Sequence, residues 1–446
     1  MGMSADEQRA GGKRLRRVVA REAHGEWIPN PDRADPLTLL DEQNQARIPQ
    51  LIPVRMGRMA ASPFGFFRGA AAVMAADLAA TSVTGIEVPA CGDAHLSNFG
   101  LFASPERQLL FDVNDFDETL PAPWEWDVKR LAASGVVAAR QNGFDGAQSE
   151  EAARGAVRSY RERMITFAQL GALDVYYSRV DTNSVVQVMA AVPRKQIDKA
   201  LAAARRNTSA RALAKLTVST SGSPRIVDQP PLVVHPPEVT SDEPLIDAAV
   251  AAYTASLRED VAALFSRFRP VDVAHKVVGV GSVGTRCFVV LLVDDKDDPL
   301  FLQVKEAQPS VLERYWRPSP IEHPGQRVVA GQRVMQSASD IFLGSSSAQG
   351  HHFYVRQLRD MKGSAPIEAL PPAALTQYLE LCGWALARAH AQSGRAAEIA
   401  GYLGSSGVFD EAVVRFAAAY ADQSEMDYQA LGAAIKAGRV TSQTDA

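Results

Sequence analysis

The hydrophobic and polar positions divide the chain into a helical part, a β-rich part and a second helical part. Apolar residues at helical spacing, among many alanines, predict helices within residues 70–80, 128–140, 150–216 and 243–268. Runs of β-branched residues then predict strands within residues 276–293, 299–304 and 353–355. Helical patterns return from residue 371 to the C-terminus. Because the strands are gathered in one region, the pattern predicts an α+β protein.

Two further strands lead into polar segments early in the chain. The strand at residues 86–88 precedes residues 91–98, which read CGDAHLSN, and the strand at residues 109–113 runs into the acidic sequence FDVNDFDE at 111–118. Phosphoryl transfer needs a carboxylate that orients the attacking hydroxyl and oxygen ligands for magnesium. An aspartate and an asparagine five positions apart, followed by more carboxylates, supply these groups. The two segments therefore predict a phosphoryl-transfer site.

Composition and charge narrow the class of protein. The chain has 446 residues, 46% apolar and 22% charged, and 47 basic against 51 acidic side chains leave a formal charge of -4. No overall basic field points to nucleic acid as a partner. The three cysteines form no CxxC pair, which fits a reducing cytoplasm better than a zinc site or disulfides. Apolar runs are too short to span a bilayer and no secretory signal is visible. We expect a cytoplasmic protein without a membrane partner.

A glycine-rich segment precedes a lysine in the β-rich part. Gly279, Gly281 and Gly284 form a GxGxxG pattern with Ser282 inside it, and the residues that follow favour strand rather than helix. A dinucleotide-binding unit needs a helix at that point, so the segment is predicted to join two strands as a hairpin. Such a hairpin can lay backbone amides over phosphates. Lys305 ends an apolar strand one hairpin later, where its cation could reach them. A hairpin turn without a ligand is the alternative.

These motifs carry two resemblances. Residues 92–98 match the GDxHxxN pattern of the protein-kinase-like fold, most nearly its aminoglycoside- and choline-kinase branch. Over nearly its full length the chain resembles domain-of-unknown-function family 2252, an uncharacterised bacterial family. That second resemblance includes RG at 68–69, WDVKRL at 126–131 and LARAH at 386–390.

The kinase-like resemblance implies a two-lobed fold that is circularly permuted. In kinase-like proteins the glycine loop and lysine come first, whereas here the two acidic segments precede them by almost 200 residues. Permutation is tolerated where termini and joints lie at exposed loops. Residues 353–362 are then the hinge between lobes. The implied parts are a helical catalytic-lobe part (46–268), a β-rich nucleotide-binding lobe (269–362) and C-terminal helices that return to the catalytic lobe (363–446). Residues 1–45 are polar and charged, which favours a mobile arm or a solvated first helix over a binding tail.

The resemblance also implies ATP and Mg2+ as cofactors and gives the acids their roles. Asp93 matches the catalytic aspartate that accepts or orients the substrate hydroxyl proton, and Asn98 matches the magnesium-binding asparagine. Asp112, Asp115 and Asp117 are the three candidates for the metal-binding aspartate. The number of residues that usually separates the asparagine from the metal-binding aspartate, counted forward from Asn98, favours Asp112. The acid–aromatic motif and the step back from the next helix favour Asp115, with Asp117 second.

Lys305 matches the phosphate-binding lysine of kinase-like proteins. The nucleotide would be bound by this lysine together with residues of the glycine loop, Gly279, Gly281, Ser282 and Gly284. The usual glutamate partner of the lysine is not evident, because the helical stretch 326–337 contains no acid. Either Glu313 or Glu322 replaces it, or the ion pair is absent.

Four more residues lie near these motifs, and two of them, His95 and Arg68, have two interpretations each. Asp127 looks like the acid that opens the buried helix, and Arg130, one turn later, is interpreted as a structural ion-pair partner on that helix face. His95 in a buried turn is expected to bond to backbone, with a catalytic role as the alternative. Arg68 either packs among its flanking aromatic residues or stabilises phosphate charge.

These observations favour a phosphotransferase that uses ATP and Mg2+ to modify a hydroxyl or amine of an unidentified small-molecule acceptor. A pseudokinase-type module that binds nucleotide and regulates a partner is the first alternative, favoured by the missing glutamate. An AMP transferase that uses the same site is the second. A nicotinamide oxidoreductase is disfavoured, because the glycine loop runs into a strand.

Overall fold

The protein, described by a computed structural model over residues 3–220, 223–235, 243–358 and 361–444, has a mixed α+β fold, as predicted. Its helices are α1 (Ala5–Leu15), α2 (Pro36–Asn44), α3 (Ile52–Ala60), α4 (Pro63–Gly69), α5 (Ala71–Leu78), α6 (Trp124–Gln141), α7 (Gly146–Phe167), α8 (Ala172–Tyr177), α9 (Thr182–Val188), α10 (Arg194–Arg205), α11 (Ser209–Leu216), α12 (Glu243–Ser256), α13 (Glu259–Phe265), α14 (Pro324–Met335), α15 (Pro372–Ala391), α16 (Ala396–Leu403) and α17 (Val408–Lys436). None of these described helices combines the length and apolarity that crossing a bilayer requires.

The strands are short except in one antiparallel sheet. They are β1 (Glu87–Ala90), β2 (Phe99–Ala103), β3 (Leu109–Val113), β4 (Leu120–Pro123), β5 (Thr217–Thr220), β6 (Ser223–Ile226), β7 (Val233–Val234), β8 (Arg269–Lys276), β9 (Cys287–Val293), β10 (Pro299–Ala307), β11 (Gly344–Ala348) and β12 (His351–Gln357). Six of them form the sheet in the order β11-β12-β10-β9-β8-β7, and β1-β4, β2-β3 and β5-β6 form separate pairs.

The sheet confirms the predicted glycine hairpin. β8 and β9 pair antiparallel with the glycine loop (residues 279–284) between them, and β9 and β10 form the next hairpin. Lys305 lies in β10, opposite Cys287 of β9. The predicted strand region at 276–293 begins where β8 ends, so most of β8 was not predicted. The sheet also includes β7 and β11, which the sequence pattern did not predict. β7 has only two residues and β11 is rich in serine, so neither has the β-branched run that signals a strand.

Alternating residues of the sheet pack against helices on both faces. On one face, Leu292 and Leu302 contact Tyr253 of α12 and Phe265 of α13 in one apolar cluster. On the other face, a second cluster joins the sheet to α11 and the β6 strand through Ala212, Ile226, Val289, Leu291 and Phe301. Lys305 lies four positions after Phe301 in β10. Because successive side chains of a strand alternate between the two faces, Lys305 shares this second face.

The helical body is built around α6, which is buried along almost its whole length. Its Trp124 stacks on Tyr160 of α7 with ring centroids 5.7 Å apart, and it also contacts Phe409 of α17. α7 lies along α15 at such close range that a Cβ on Gly383 would be 2.2 Å from the carbonyl oxygen of Ala156. The C-terminal helices therefore pack directly onto helices from the first half of the chain.

The predicted helices exist, but the two longest predictions are each divided. The stretch predicted over 150–216 forms the end of α7 and then α8, α9, α10 and α11. Gly171 and Pro193 stand at the caps that begin α8 and α10, where they interrupt the preceding helix. The stretch predicted over 243–268 forms α12 and α13. The predicted hinge at 353–362 begins as strand β12, and Arg359 and Asp360 of it lie outside the described residues.

From Met3 onward, the N-terminal segment lies against the helical body. Its first helix, α1, has one buried residue, Gly12, which fits the prediction of a solvated first helix better than that of a mobile arm. α1 packs on α16 through glycines of both helices. A Cβ on Gly12 would be 1.9 Å from the carbonyl oxygen of Glu398, and one on Gly401 would be 2.2 Å from that of Arg9. Because glycine has no side chain, the two backbones approach closely despite few apolar residues. Sequence hydropathy does not register this kind of contact.

Two polar contacts also attach the segment after α1. His24 is fully buried, with its Nε2 2.7 Å from the hydroxyl oxygen of Tyr402. Arg33 donates hydrogen bonds to Asp77 (2.7 and 2.9 Å) and to Asp427 (2.6 and 3.0 Å). Arg33 thus links α5 to α17. The residues around it in the sequence are polar and do not indicate this structural role.

Replacement of Gly12 by alanine tests this packing. We expect Gly12→Ala to lower the free energy of unfolding by about 1–3 kcal/mol, because its Cβ forces α1 away from α16. Gly11→Ala is the matched control, since its Cβ lies 3.8 Å from its nearest neighbour and alanine favours a helix by about 1 kcal/mol. Urea unfolding measures both. Equal stability of the two variants would contradict the close contact.

Candidate functional site

The Asp93 loop (residues 91–98) connects β1 to β2, and side chains of α6 hold it in place. Gly92 has φ +77°, and a Cβ there would be 2.4 Å from the carbonyl oxygen of Glu118, so only glycine fits. The carboxylate of Asp127 accepts the amide hydrogens of Cys91 (2.6 Å) and Gly92 (2.9 Å). His390 of α15 lies 3.1 Å from the same carboxylate. Asp127 therefore supports the loop and is not a metal ligand in a cleft.

Asp93 is held by an arginine from α6. Arg130 donates from Nε to Asp93 Oδ1 at 2.6 Å, and its guanidinium lies over the ring of Phe67. The predicted pairing of Arg130 with Asp127 is therefore wrong, because Asp127 is occupied by the backbone of the Asp93 loop. Nε2 of His95 lies 3.8 Å from Asp93 Oδ2. Burial lowers the pKa of His95 to about 3, so this ring is neutral at neutral pH.

Asn98 joins the Asp93 loop to the next acidic segment. Its side-chain amide donates to the carbonyl oxygen of Asp93 at 2.7 Å, which leaves Oδ1 to accept a hydrogen bond or to bind a cation. Its own carbonyl oxygen accepts the amide hydrogen of Asn114 at 2.8 Å. The hairpin of β2 and β3 thus returns the chain beside Asn98, where the Asp115 loop (residues 114–118) begins.

Asp115 and Asp117 meet Lys305 of the sheet. The Lys305 ammonium contacts the Asp117 carboxylate and lies 3.6 Å from Asp115 Oδ2. The hydroxyl of Tyr354 donates to Asp117 at 2.7 Å. Burial and the charge of Asp117 raise the pKa of Asp115. Burial alone would raise the pKa of Asp117 as well, but the charge and hydrogen bond of Lys305 lower it.

Asp112 is a structural residue. It is 1% exposed and accepts the amide hydrogens of Val113 (2.9 Å) and Ser337 (2.8 Å). The guanidinium of Arg388 from α15 lies 3.3 Å from its carboxylate. Asp112 lies in β3 with these partners around it, and it does not line the cleft. Of the three candidates for the metal-binding aspartate, the structure brings Asp115 and Asp117 to the cleft and leaves Asp112 in the core.

Neither Glu313 nor Glu322 pairs with Lys305. Glu313 instead accepts the amide hydrogens of Ser310 and Ser319. The helix after Lys305, α14, carries Arg327, which donates to the carbonyl oxygens of Asp117 (2.8 Å) and Thr119 (2.6 Å). An arginine on this helix therefore holds the backbone of the Asp115 loop, while the acids of that loop neutralise the lysine.

The carbonyl groups of the glycine loop are held by the segment before and within α3. Arg47 donates to the carbonyl oxygen of Val283, Arg58 donates to that of Gly279, and the amide of Ile48 donates to that of Gly284 at 2.8 Å. Gly284 thereby faces this segment rather than the cleft, which corrects its predicted place among the nucleotide-binding residues.

The amide groups of Gly281 and Ser282 have no backbone or side-chain acceptor among the described residues. Both residues, with Gly279, line the cleft. Backbone amides of this kind are the donors that phosphate oxygens use in glycine-rich loops. The Ser282 hydroxyl lies 3.4 Å from Asp117, so the loop and the acids adjoin one another.

These loops enclose one cleft. The predicted residues that line it are Arg68, Asp93, His95, Asn98, Asp115, Asp117, Gly279, Gly281 and Ser282. The sequence did not single out its other charged residues, Arg47, Arg55, Glu118 and Glu306. Burial raises the pKa of Glu118 to about 7. No local spacing marks these residues, because they reach the cleft only through tertiary packing.

The donor set suits magnesium bound together with a phosphate. No group of three His, Cys, Asp or Glu side chains within the described parts of the chain is arranged to hold a metal alone. Magnesium in phosphoryl-transfer sites uses one or two carboxylates, water and substrate phosphate. Asp115, Asp117 and Oδ1 of Asn98 can supply the protein's share.

The antiparallel sheet and the helical body, joined at one acidic cleft, define an α+β protein with chemistry-bearing loops from distant parts of the chain. The chain belongs to the bacterial family described as uncharacterized protein conserved in bacteria (DUF2252), whose profile matches residues 47–434. That match confirms the family resemblance and includes all three loops of the cleft. Searches of curated proteins and of solved structures gave no match.

Two substitutions separate structural from functional acids. Asp112→Asn should lower the free energy of unfolding by about 3–5 kcal/mol, because it leaves Arg388 buried without its counter-ion. Asp115→Asn should keep or raise stability, since it removes a buried charge that Asp117 repels. A raised carboxyl pKa means that ionisation opposes folding. The advantage of Asp115→Asn should therefore grow as pH rises from the ordinary range of Asp through the raised pKa.

Denaturant unfolding at several pH values checks both variants. A large loss of stability in Asp115→Asn, with Asp112→Asn close to the wild type, would reverse the assignment of the two acids.

Proposed function

We propose that this protein is a phosphotransferase with a circularly permuted protein-kinase-like fold that uses ATP and Mg2+. The observation that carries the proposal is a convergence in space. Asp93, Asn98 and Asp115 lie 164 to 186 residues before Gly279 of the glycine loop, yet all of them line one cleft with Gly281 and Ser282. Each of these residues has a counterpart of the same type in phosphoryl-transfer sites.

The strand order supports the likeness to kinases. The glycine loop joins the first pair of strands, β8 and β9, Lys305 lies on the next strand, and α14 follows before β11 and β12. Protein kinases place a Gly-rich loop, a lysine on the third strand and then a helix in the same succession. The sheet order β8-β9-β10-β12-β11 is contiguous in this region.

The packing of the C-terminal helices supports the permutation. α15 lies along α7, and His390 of α15 lies 3.1 Å from Asp127 beneath the Asp93 loop. The part of the chain that follows the sheet therefore completes the body that carries Asp93. A permuted chain needs this arrangement, because the two halves of one lobe are then encoded on either side of the other lobe.

In the proposed reaction, Asp93 accepts the proton of the acceptor hydroxyl as the hydroxyl oxygen forms a bond to the γ-phosphorus of ATP. The bond from that phosphorus to the bridging oxygen breaks, and ADP leaves with its electron pair. Arg130 orients the Asp93 carboxylate through its 2.6 Å hydrogen bond. Magnesium, when bound by Asp115, Asp117 and Asn98, would neutralise charge on the phosphates. Amides of the glycine loop would donate to the phosphate oxygens.

A specific observation favours a second candidate, a nucleotide-binding module that regulates a partner. In protein kinases the helix after the lysine strand supplies a glutamate for the lysine. Here that helix carries Arg327, and Lys305 contacts Asp117 instead. If Asp117 stays with Lys305, one of the two metal-binding carboxylates is unavailable and nucleotide binding without turnover is the expected behaviour.

Thermal denaturation with ATP and Mg2+ tests the shared premise of both candidates. A ligand at a hundredfold excess over its dissociation constant should stabilise the protein by about 2.7 kcal/mol. We expect this shift in the wild type with Mg2+, and its loss in Asp115→Asn, because that variant lacks a magnesium ligand. Asp198→Asn on exposed α10 is the charge-matched control and should behave as the wild type.

ATP consumption in the presence of small-molecule mixtures then distinguishes the candidates. Asp93→Asn should bind nucleotide but lose about two to four orders of magnitude in turnover. Binding without any consumption in the wild type favours the regulatory module. Mass spectrometry of the product separates transfer of phosphate from transfer of AMP. The absence of a shift with every nucleotide, with and without Mg2+, would contradict the proposed function.

A further inference from the structure

Three arginines from one helical segment line the cleft without acidic partners. Arg47 precedes α3, Arg55 lies within it, and Arg68 ends α4. None of them has a carboxylate within ion-pair distance in the described parts of the chain. The Nε groups of all three are buried and have no hydrogen-bond acceptor. Three guanidinium groups therefore lie at one cleft without a directly paired carboxylate among the described residues, and acids such as Glu118 and Asp93 act on them only from a longer distance.

The contacts that these arginines do make are with neutral groups. Arg55 is fully buried and donates to the side-chain oxygens of Asn44 (2.6 Å) and Gln43 (3.0 Å) and to the carbonyl oxygen of Gly69 (3.3 Å). Arg47 donates to a carbonyl oxygen of the glycine loop. Burial lowers the pKa of Arg47 to about 10. A buried cation without a counter-ion is costly, so a bound anion would stabilise this arrangement.

Arg68 places the anion on the side of Asp93. No hydrogen bond or ion pair of its guanidinium is seen among the described residues, and the nearby charge that favours its protonated form most strongly is Asp93. Its carbonyl oxygen lies 3.7 Å from the position of a Cβ on Gly281, so it adjoins the glycine loop as well. In the proposed reaction Asp93 meets the acceptor hydroxyl. Arg68 therefore lies on the side of the cleft where the acceptor binds.

We propose that the small-molecule acceptor is itself an anion, with a phosphate or carboxylate group that Arg68 and Arg47 bind. This inference rests on the proposed function and names the substrate class of the same site. Guanidinium groups suit both anions, because their paired N–H groups match two oxygens. The glycine loop and Lys305 are left to the nucleotide phosphates, so the cleft has separate donors for two anionic ligands.

Calorimetric titration of inorganic phosphate tests the inference on the full-length chain. The protein is first saturated with Mg2+ and a non-hydrolysable ATP analogue, and phosphate is then titrated as the probe. We expect phosphate to bind this complex, with a dissociation constant at least tenfold higher in Arg68→Gln and an intermediate value in Arg68→Lys. Arg194→Gln on exposed α10 is the control and should match the wild type. Because Arg68 makes no hydrogen bond to the described chain, its variants should fold.

Each other outcome overturns a definite statement. Phosphate that binds Arg68→Gln as it binds the wild type is an adventitious ion only, and the inference is wrong. Phosphate that displaces the analogue shows that the arginines hold the nucleotide itself, which also overturns the inference. Failure of the analogue to bind the wild type overturns the proposed function and, with it, the acceptor assignment. The first two results leave the proposed function intact.

Discussion

The contact between Lys305 and Asp117 is the interaction on which the cleft depends. It joins β10 to the Asp115 loop through two residues that lie 188 positions apart in the chain. Tyr354 adds a hydrogen bond to the same carboxylate, and Arg327 holds the backbone beside it. A buried ion pair contributes little net stability, but removal of one partner is costly. The pair therefore specifies how the sheet meets the acids more than it strengthens the fold.

A consequence of this arrangement is that the two acids compete for one lysine. Asp115 and Asp117 are close enough for their charges to oppose each other, and Lys305 lies nearer to Asp117 than to Asp115, whose Oδ2 is 3.6 Å from the ammonium. Arg356, which donates to the carbonyl oxygen of Asn114 at 2.9 Å, is a second positive charge near both acids. In the proposed function, magnesium would bind Asp115 and Asp117, and a phosphate would be a further partner for Lys305.

Local pattern was sufficient to predict the parts of the site that depend on short spacing. The glycine hairpin followed from the β-branched and aromatic run after Gly284, and the strand of Lys305 followed from the apolar run that begins at Leu300, because these signals act within a few positions. The spacing forward from Asn98 favoured Asp112, whereas the spacing back from Asp127 and the acid–aromatic motif favoured Asp115. Asp112 lies in the core.

The roles that depend on tertiary partners could not be predicted in the same way. Asp112 is recognised as structural only through Arg388, and Asp127 only through the loop that it supports. The attachment of α1 depends on Gly12, whose importance lies in the side chain that it lacks. Arg55 was not singled out either, since its burial in the cleft wall depends on how α3 meets α2 and α4. In each case the deciding neighbour is distant or is a backbone atom.

The most direct test of the central claim is electron–nuclear double resonance of Mn2+ bound in place of Mg2+, with ATP and protein labelled with 13C at its aspartate carboxyl groups. The account predicts that one manganese ion shows coupling to both 31P of the nucleotide and 13C of the protein. The 13C coupling should weaken in Asp115→Asn. Coupling to 31P alone, as in manganese–ATP free in solution, would contradict the claim that these acids bind a metal–nucleotide complex.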